Sequence, residues 1–303
     1  EGMGGLMRSV LEDLDARIAA MGAPPGLRSG FDDLDDLTNG FQDGQLIILA
    51  ARPAMGKSTL MTNMAVHIAT QGKTPALIFS LETDKKQVAM NMLCAAAQVE
   101  TYDISRGLLA NDEERLDRIN AEASALMKAK IFIDDTAGLD VLQLRAKARH
   151  MVQREGVGIV FLDYVQLMRG GGDAENRQLE LEAISGALKG LARDLSIPVV
   201  ALAQVNRGVE QRETPKPRLS DLRGSGAFEQ DADVVLMLYR PDYYEDKGDV
   251  TPGQDSAATI IVAKNRIGRT GEVELLFQKR WLRFVNKARN RQEESAARYG
   301  GND

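Results

Sequence analysis

The chain of 303 residues carries 38 lysines and arginines against 44 aspartates and glutamates, a formal net charge of −6, and is 44% hydrophobic. That balance excludes a disordered or fibrous polymer and suits one large α/β domain or two small ones. One cysteine, Cys94, and two histidines, His67 and His150, exclude an intrachain disulfide and a structural zinc site of the usual Cys/His kind.

Leu6, Val10, Leu14, Ile18 and Met21 form a one-sided helical stripe, stopped by Gly22-Ala23-Pro24-Pro25-Gly26. Such a helix must dock on its own domain or on a neighbouring copy. Beyond it, short apolar runs alternate with helix-period stretches. The runs are Leu46–Ala51, Ala76–Leu81, Ile131–Ile133, Ile159–Leu162, Val199–Ala203, Val234–Tyr239 and Thr259–Ala263; Leu60–Thr70, Lys85–Gln98, Val141–Glu155 and Leu179–Leu195 read as helices. This alternation predicts a mostly parallel sheet flanked by helices. After Val234 the helical pattern ceases, and Glu272–Phe284 reads as a terminal antiparallel strand pair. The expected organisation is a helix and hinge at 1–26, one α/β domain at 27–288 and a frayed polar tail at 289–303. No apolar run approaches the ~20 residues needed to span a bilayer, and no secretory signal opens the chain, so no membrane partner and a cytoplasmic location are expected. The first residue is Glu1, so a fragment or processed chain is expected.

The strand Leu46–Ala50 runs into Ala51-Arg52-Pro53-Ala54-Met55-Gly56-Lys57-Ser58-Thr59, and a helix pattern follows at once. Strand, loop and helix in that order are the context of a P-loop, whose backbone N–H groups cradle phosphates at the helix N-terminus. Ala54, Met55, Gly56, Lys57, Ser58 and Thr59 are therefore candidates to bind a nucleoside triphosphate. Lys57 is placed for the β- and γ-phosphates, and Ser58 for a Mg2+ shell. One position departs from the motif, since Ala51 stands where the first glycine is usual.

Further candidates lie at strand ends, because ligands of open parallel sheets sit beyond the carboxyl edge. Val157–Leu162 ends on Asp163, a candidate metal acid. Phe79-Ser80-Leu81 ends on Glu82, a candidate to deprotonate the attacking water, with Asp134-Asp135 as its competitor. Val199–Ala203 ends on Gln204, which could report the γ-phosphate by a hydrogen bond. Thr259–Ala263 ends on Lys264-Asn265-Arg266, two cations that could neutralise transition-state charge or merely solubilise a turn. Charge is also uneven: residues 1–45 hold nine acids and three bases, whereas 264–291 hold nine bases and two acids. An acidic protein can still bind a phosphate polymer through one locally basic channel.

Taken together, Gly30-Phe31-Asp32-Asp33-Leu34-Asp35, Ala50–Thr59, Ser80-Leu81-Glu82, Leu162–Met168, Gln204–Arg207, Leu219–Asp233 and Ala263–Arg266 resemble the helicase domain of bacterial replicative DNA helicases of the DnaB type. The resemblance implies a RecA-like P-loop core. It also implies a ring, usually a hexamer, that encircles one DNA strand and moves 5′→3′ as it hydrolyses nucleotide. Ala in place of the first P-loop glycine is usual there. By resemblance, Lys57, Ser58 and Thr59 grip phosphate and magnesium, Asp163 is the Walker B acid, Glu82 the catalytic base and Gln204 the γ-phosphate sensor. Lys264 and Arg266 are donated to the neighbour's nucleotide, Arg266 as arginine finger. Asp221–Gly226 matches the central DNA-binding loop, with Arg223, Gly224, Ser225 and Gly226 as contacts; where the family often has Glu, Gly224 leaves backbone N–H contacts. The helix at 6–21 matches the linker helix that docks on the adjacent subunit. The family's N-terminal collar, which binds primase, has no counterpart in these residues; loader and primase are expected partners of the full-length protein.

A sequence-tolerant translocase should hold phosphates rather than read bases. Gly224, Ser225 and Gly226 open the backbone for that, Arg223 adds charge, and Phe228 is the one aromatic nearby. Gly170-Gly171-Gly172 either reaches the pore or forms an ordinary surface loop. Two rival readings are a filament-forming RecA-type recombination or repair ATPase and a nucleotide-gated replication scaffold that hardly hydrolyses. The helix at 6–21 with Leu219–Asp233 disfavours the first, and Glu82, Asp163 and Arg266 disfavour the second.

Overall fold

The computed structural model describes residues 2–19, 24–163, 165, 176–222, 226–244 and 255–288. Arg223, Gly224, Ser225, the Gly170–Gly172 stretch and the tail from 289 lie outside the described residues. In chain order the elements are α1 (Met3–Ala19), α2 (Asp32–Thr38), β1 (Leu46–Ala51), α3 (Lys57–Thr70), β2 (Ala76–Ser80) and α4 (Lys85–Ala97). There follow α5 (Thr101–Ser105), α6 (Glu113–Lys128), β3 (Ile131–Asp134), α7 (Val141–Glu155), β4 (Ile159–Asp163) and α8 (Asn176–Leu195). The chain continues with β5 (Val199–Gln204), α9 (Gly226–Asp231), β6 (Val234–Tyr239), β7 (Ser256–Asn265), β8 (Gly271–Gln278) and β9 (Arg283–Asn286).

The strands form one sheet in the order β3-β2-β4-β5-β1-β6-β7-β8-β9. The first six in that order are parallel, and β7, β8 and β9 are antiparallel to their neighbours. β1 lies in the middle and is buried along its whole length. Ile47, Leu49 and Ala51 face a core built with Leu60, Met61, Met64 and Ile68 of α3. Leu46, Ile48 and Ala50 face the opposite core, with Leu144 of α7 and Leu188 and Leu191 of α8. Burial on both faces is why β1 reads as a continuous apolar run rather than an alternating one.

Local chemistry fixes the flanking helices. Asp84 caps α4 by accepting from the backbone N–H groups of Lys86 and Gln87. Asp140 and Gln143 form a capping box at α7, and Gly156 ends it at φ 70°. The Gly30–Asp35 segment is a clasp: Asp35 accepts from the Ser29 N–H at 2.8 Å, and Asn286 of β9 bonds Gly30 and Asp32. A Cβ on Gly30 would lie 2.6 Å from the His67 ring, so glycine is required there.

Four expectations change. Helices α2, α5, α6 and α9 join those predicted. The expected antiparallel pair at 272–284 is β8 with β9, and a third antiparallel strand precedes it, because β7 reverses against β6 with Val234 opposite Asn265. Gly226, expected in the loop, is the first residue of α9, and Phe228 is buried at 1% exposure and cannot stack on a base. Finally, the basic stretch 264–291 is split. Lys264 and Arg266 end β7 at one sheet edge, while β8 carries the chain back so that Lys279 and Arg280 emerge at the other. The run is not one channel.

The apolar stripe of α1 remains uncovered in the single chain: Leu6, Val10, Leu14 and Ile18 are all exposed. No helix among the described residues is long and apolar enough to cross a membrane.

Candidate nucleotide-binding site

β1 delivers the P-loop to the carboxyl edge of the sheet. Ala51 is its last residue, extended and fully buried opposite Gln204 of β5. A backbone held in a strand does not call for glycine, which accounts for alanine at that position. The bend comes later: Ala54 has φ 63° and Gly56 φ 92°. A Cβ on Gly56 would stand 3.1 Å from the Phe284 ring, so both conformation and space demand glycine. Lys57 then opens α3, and the N–H groups of that first turn are left unsatisfied by the helix itself.

Register aligns the other strand ends. β2 and β4 pair with Ser80 opposite Asp163, and the Leu81 N–H donates to the Asp163 carbonyl at 2.7 Å. A cavity of about 510 Å³ lies above these ends, lined by Ala54, Gly56, Lys57, Ser58, Thr59, Glu82, Gln204 and, from the far side, Arg240 and Lys279. The structure thus brings together Lys57, Ser58, Thr59, Glu82 and Gln204, with Asp163 bonded to Ser58 beneath them. Met55 is buried in the core and contributes backbone only.

Burial sets the electrostatics of the two charged groups at the loop. Burial pushes the Lys57 ammonium below its ordinary value, with Asp163 and Glu82 opposing that shift. Burial likewise raises the Asp163 carboxyl, opposed by its hydrogen bond from Ser58 and by Lys57. Asp163 Oδ1 is buried and has no hydrogen-bond partner among the described residues. A buried carboxylate oxygen without a partner is costly, and beside the Ser58 hydroxyl it fits a hard divalent cation. One carboxylate and one hydroxyl leave the other positions to water and phosphate oxygens, the usual composition of a magnesium site.

Asp134 and Asp135 stand outside this cavity. Asp134 pairs with Lys147 at 2.6 Å, and Asp135 pairs with Lys85 at 3.0 Å while accepting from its backbone N–H. They brace α7 and α4.

Lys264 and Arg266 are brought to the opposite edge. Because β7 is antiparallel, its end adjoins the start of β6, and Arg266 N–H donates to the Asp233 carbonyl at 2.9 Å. At ~3.3 Å per residue, the strands between separate that point from the P-loop of the same chain by about 20 Å. Within one chain these cations therefore do not reach the crevice that holds Lys57 and Glu82.

Sequence reasoning missed Arg240, Asp242, Lys279 and Phe277. Arg240 is buried, faces the Met55 carbonyl at 3.5 Å, stacks 4.1 Å above the Phe277 ring and pairs with Asp242 at 2.8 Å. Lys279 joins the same carboxylate at 2.6 Å, and, against burial that would raise it, the two cations hold Asp242 below the usual carboxylate value. The available signal was Tyr239-Arg240, a charge closing a fully apolar strand, as at Asp163.

Comparison with known proteins places the chain in a family. Residues 26–286 match the family described as DnaB-like helicase C terminal domain. The chain belongs to that family. It is 43% identical over 265 residues to the replicative DNA helicase DnaC of Bacillus subtilis and 42% identical to the replicative DNA helicase DnaB of Geobacillus stearothermophilus, each alignment covering 87% of this chain and 57% of the relative. The chain thus spans little more than half the length of these relatives. Among solved structures, the ATPase domain of G40P superposes with a TM-score of 0.86 at 33% identity, covering 95% of this chain and 99% of that one. A DnaB-like replicative helicase, described with its interactions with primase, superposes at 0.83 and 33% identity over 95% of this chain and 67% of that one. The domain therefore has the RecA-like fold of DnaB-type ATPase domains: a mostly parallel sheet with antiparallel C-terminal strands.

Proposed function

We propose that this domain is the motor of a replicative DNA helicase: a hexameric ring that hydrolyses ATP, advances 5′→3′ along single-stranded DNA and unwinds the fork. One observation carries the reading. The phosphate-facing residues converge at one edge of the sheet while the candidate finger cations stand about 20 Å away at the other, as strand rise requires. A complete site of this composition needs two copies of the chain placed head to tail; repeating that contact gives a ring when the rotation closes and a filament when it does not, and the family resemblance favours the ring.

In the proposed mechanism the loop 54–59 and the α3 N-terminus bind the triphosphate, and Lys57 holds its β- and γ-phosphates. Mg2+ would be held by Ser58 and Asp163 and would supply charge neutralisation at the phosphates. Glu82 orients a water and accepts its proton. Gln204 hydrogen-bonds the γ-phosphate. Arg266, with Lys264, comes from the neighbouring subunit to neutralise charge on the transferred group. DNA is gripped by Arg223, Gly224, Ser225 and Gly226 through phosphate contacts. The strand end carrying Gln204 supports a link to that loop, since Val205 bridges Leu222 and Asn206 N–H donates to the Asp221 carbonyl at 2.8 Å. The uncovered stripe of α1 supports docking on the adjacent subunit. A helicase loader and primase would join the full-length protein, which would act in the cytoplasm. Direction of travel, ring size and these partners come from the family resemblance.

For Glu82→Gln the expected result is nucleotide binding close to that of the parent with turnover reduced about 10²- to 10⁴-fold, the range for a positioned general base. Undiminished steady-state hydrolysis would remove Glu82 from that role. The reading as a whole is tested by sedimentation with a nonhydrolysable ATP analogue, single-stranded DNA, both or neither. A closed multimer should appear with both ligands; a chain that remains monomeric under all four conditions would overturn the motor.

A further inference from the structure

The cations that end β7 are already engaged in the single chain. Lys264 Nζ lies 2.5 Å from the Glu229 carbonyl and 3.3 Å from that of Gln230, and Arg266 donates to Gln230 as well. These carbonyls belong to the last turn of α9, where no intrahelical N–H reaches them and the helix end is negative. Arg266 also faces Asp233, whose Oδ1 is 3.5 Å from its guanidinium. The Asp233 side chain is 10% exposed and that of Arg266 47%.

The second oxygen of Asp233 is fully committed. It accepts from the Leu46 N–H at 2.8 Å and from Lys189 Nζ at 2.5 Å. Lys189 reaches it from α8 and also donates to the Gly44 carbonyl at 2.9 Å. Lys189 and Arg266, with Arg193, line one cleft of about 420 Å³. A nearly buried carboxylate holds a guanidinium far more firmly than an exposed one does. Asp233 does not do so here, because Lys189 has taken the short contact and Arg266 is left the long one.

We propose that Lys189 is a positioning residue for the finger. By taking the short contact to Asp233 it leaves Arg266 on the Gln230 carbonyl at the end of α9, from which the guanidinium can turn to a triphosphate on the next subunit. Without Lys189, Asp233 draws Arg266 into a tight pair and withdraws it from the seam. The inference rests on the reading that Arg266 acts in trans, and the test separates the two.

The variants are Lys189→Met, Lys189→Arg and the double variant Lys189→Met with Asp233→Asn, each assayed for steady-state ATPase in the assembled ring. Lys189→Met should lose roughly tenfold in kcat, the worth of one charge-assisted hydrogen bond, with KM for ATP little changed. Removing the excess charge in the double variant should restore kcat, and Lys189→Arg should retain it. An unchanged kcat in Lys189→Met, or a double variant as slow as the single, would overturn the proposal. If Lys189→Met fails to fold, a Lys189→Arg variant that folds but turns over as slowly as an Arg266→Ala ring would overturn it instead. Mixed rings separate the layers. Lys57→Ala subunits carry intact fingers, so mixing them in should relieve Lys189→Met just as it relieves Arg266→Ala. Relief of Arg266→Ala alone would reject Lys189 as a positioning residue, whereas relief of neither would reject the trans reading itself.

Discussion

Lys57→Ala is expected to abolish ATP hydrolysis, by at least the 10²- to 10³-fold that attends loss of one preorganised charge donor. The lysine stands on the first turn of α3 and lines the cavity, and its ammonium is disfavoured by burial, which a bound polyanion would offset. The same substitution should remove the stabilisation that nucleotide confers. A ligand present at a hundred times its dissociation constant stabilises a domain by about 2.7 kcal/mol, a shift of melting temperature that is easily read. The parent should show that shift with ATP and magnesium, and the variant should not. Hydrolysis near the parental rate in Lys57→Ala would place the chemistry elsewhere.

Arg266→Ala should be comparably damaging for a different reason. A finger arginine contributes on the order of 10³-fold or more to phosphoryl transfer, so multiple turnover should collapse. Nucleotide binding to a single subunit should survive, because the guanidinium is held on Gln230 and Asp233 at the far edge of the sheet. That pairing of retained binding with lost turnover distinguishes it from Lys57→Ala. Loss of monomer binding in Arg266→Ala would show that the side chain serves its own subunit.

Much of this site was legible in the sequence because it is written where strands end. A buried strand of a parallel sheet is apolar throughout, so the first polar residue marks the carboxyl edge. Asp163 and Gln204 were found that way, and Glu82 two residues past Ser80; Glu82 and Gln204 line one cavity, and Asp163 is bonded to Ser58 of its wall. What hydropathy cannot encode is direction. Thr259–Ala263 reads as a strand whichever way it runs, and only the pairing of Val234 with Asn265 shows that its cations leave from the opposite edge. The same blindness made residues 264–291 look like one basic channel, when the return of β8 carries Lys279 and Arg280 to the sheet edge opposite Lys264 and Arg266. Arg240 and Lys279 were hidden for a related reason: they reach the P-loop because β6 is the sheet neighbour of β1 and the β8–β9 turn folds back over it, facts of strand order rather than of composition. The competitor Asp134-Asp135 could be dismissed only once Lys147 and Lys85 were seen to hold it.

The claim that a working site spans two copies of the chain is tested most directly by mixing two dead variants. Arg266→Ala keeps its cradle and Lys57→Ala keeps its finger, so random co-assembly should place an intact cradle beside an intact finger at about a quarter of the seams for an equal mixture in a cyclic ring. The account predicts ATPase that rises from near zero in either pure ring to a maximum near equal proportions. Activity that stays at the floor across every ratio, in rings shown to contain both variants, would contradict it.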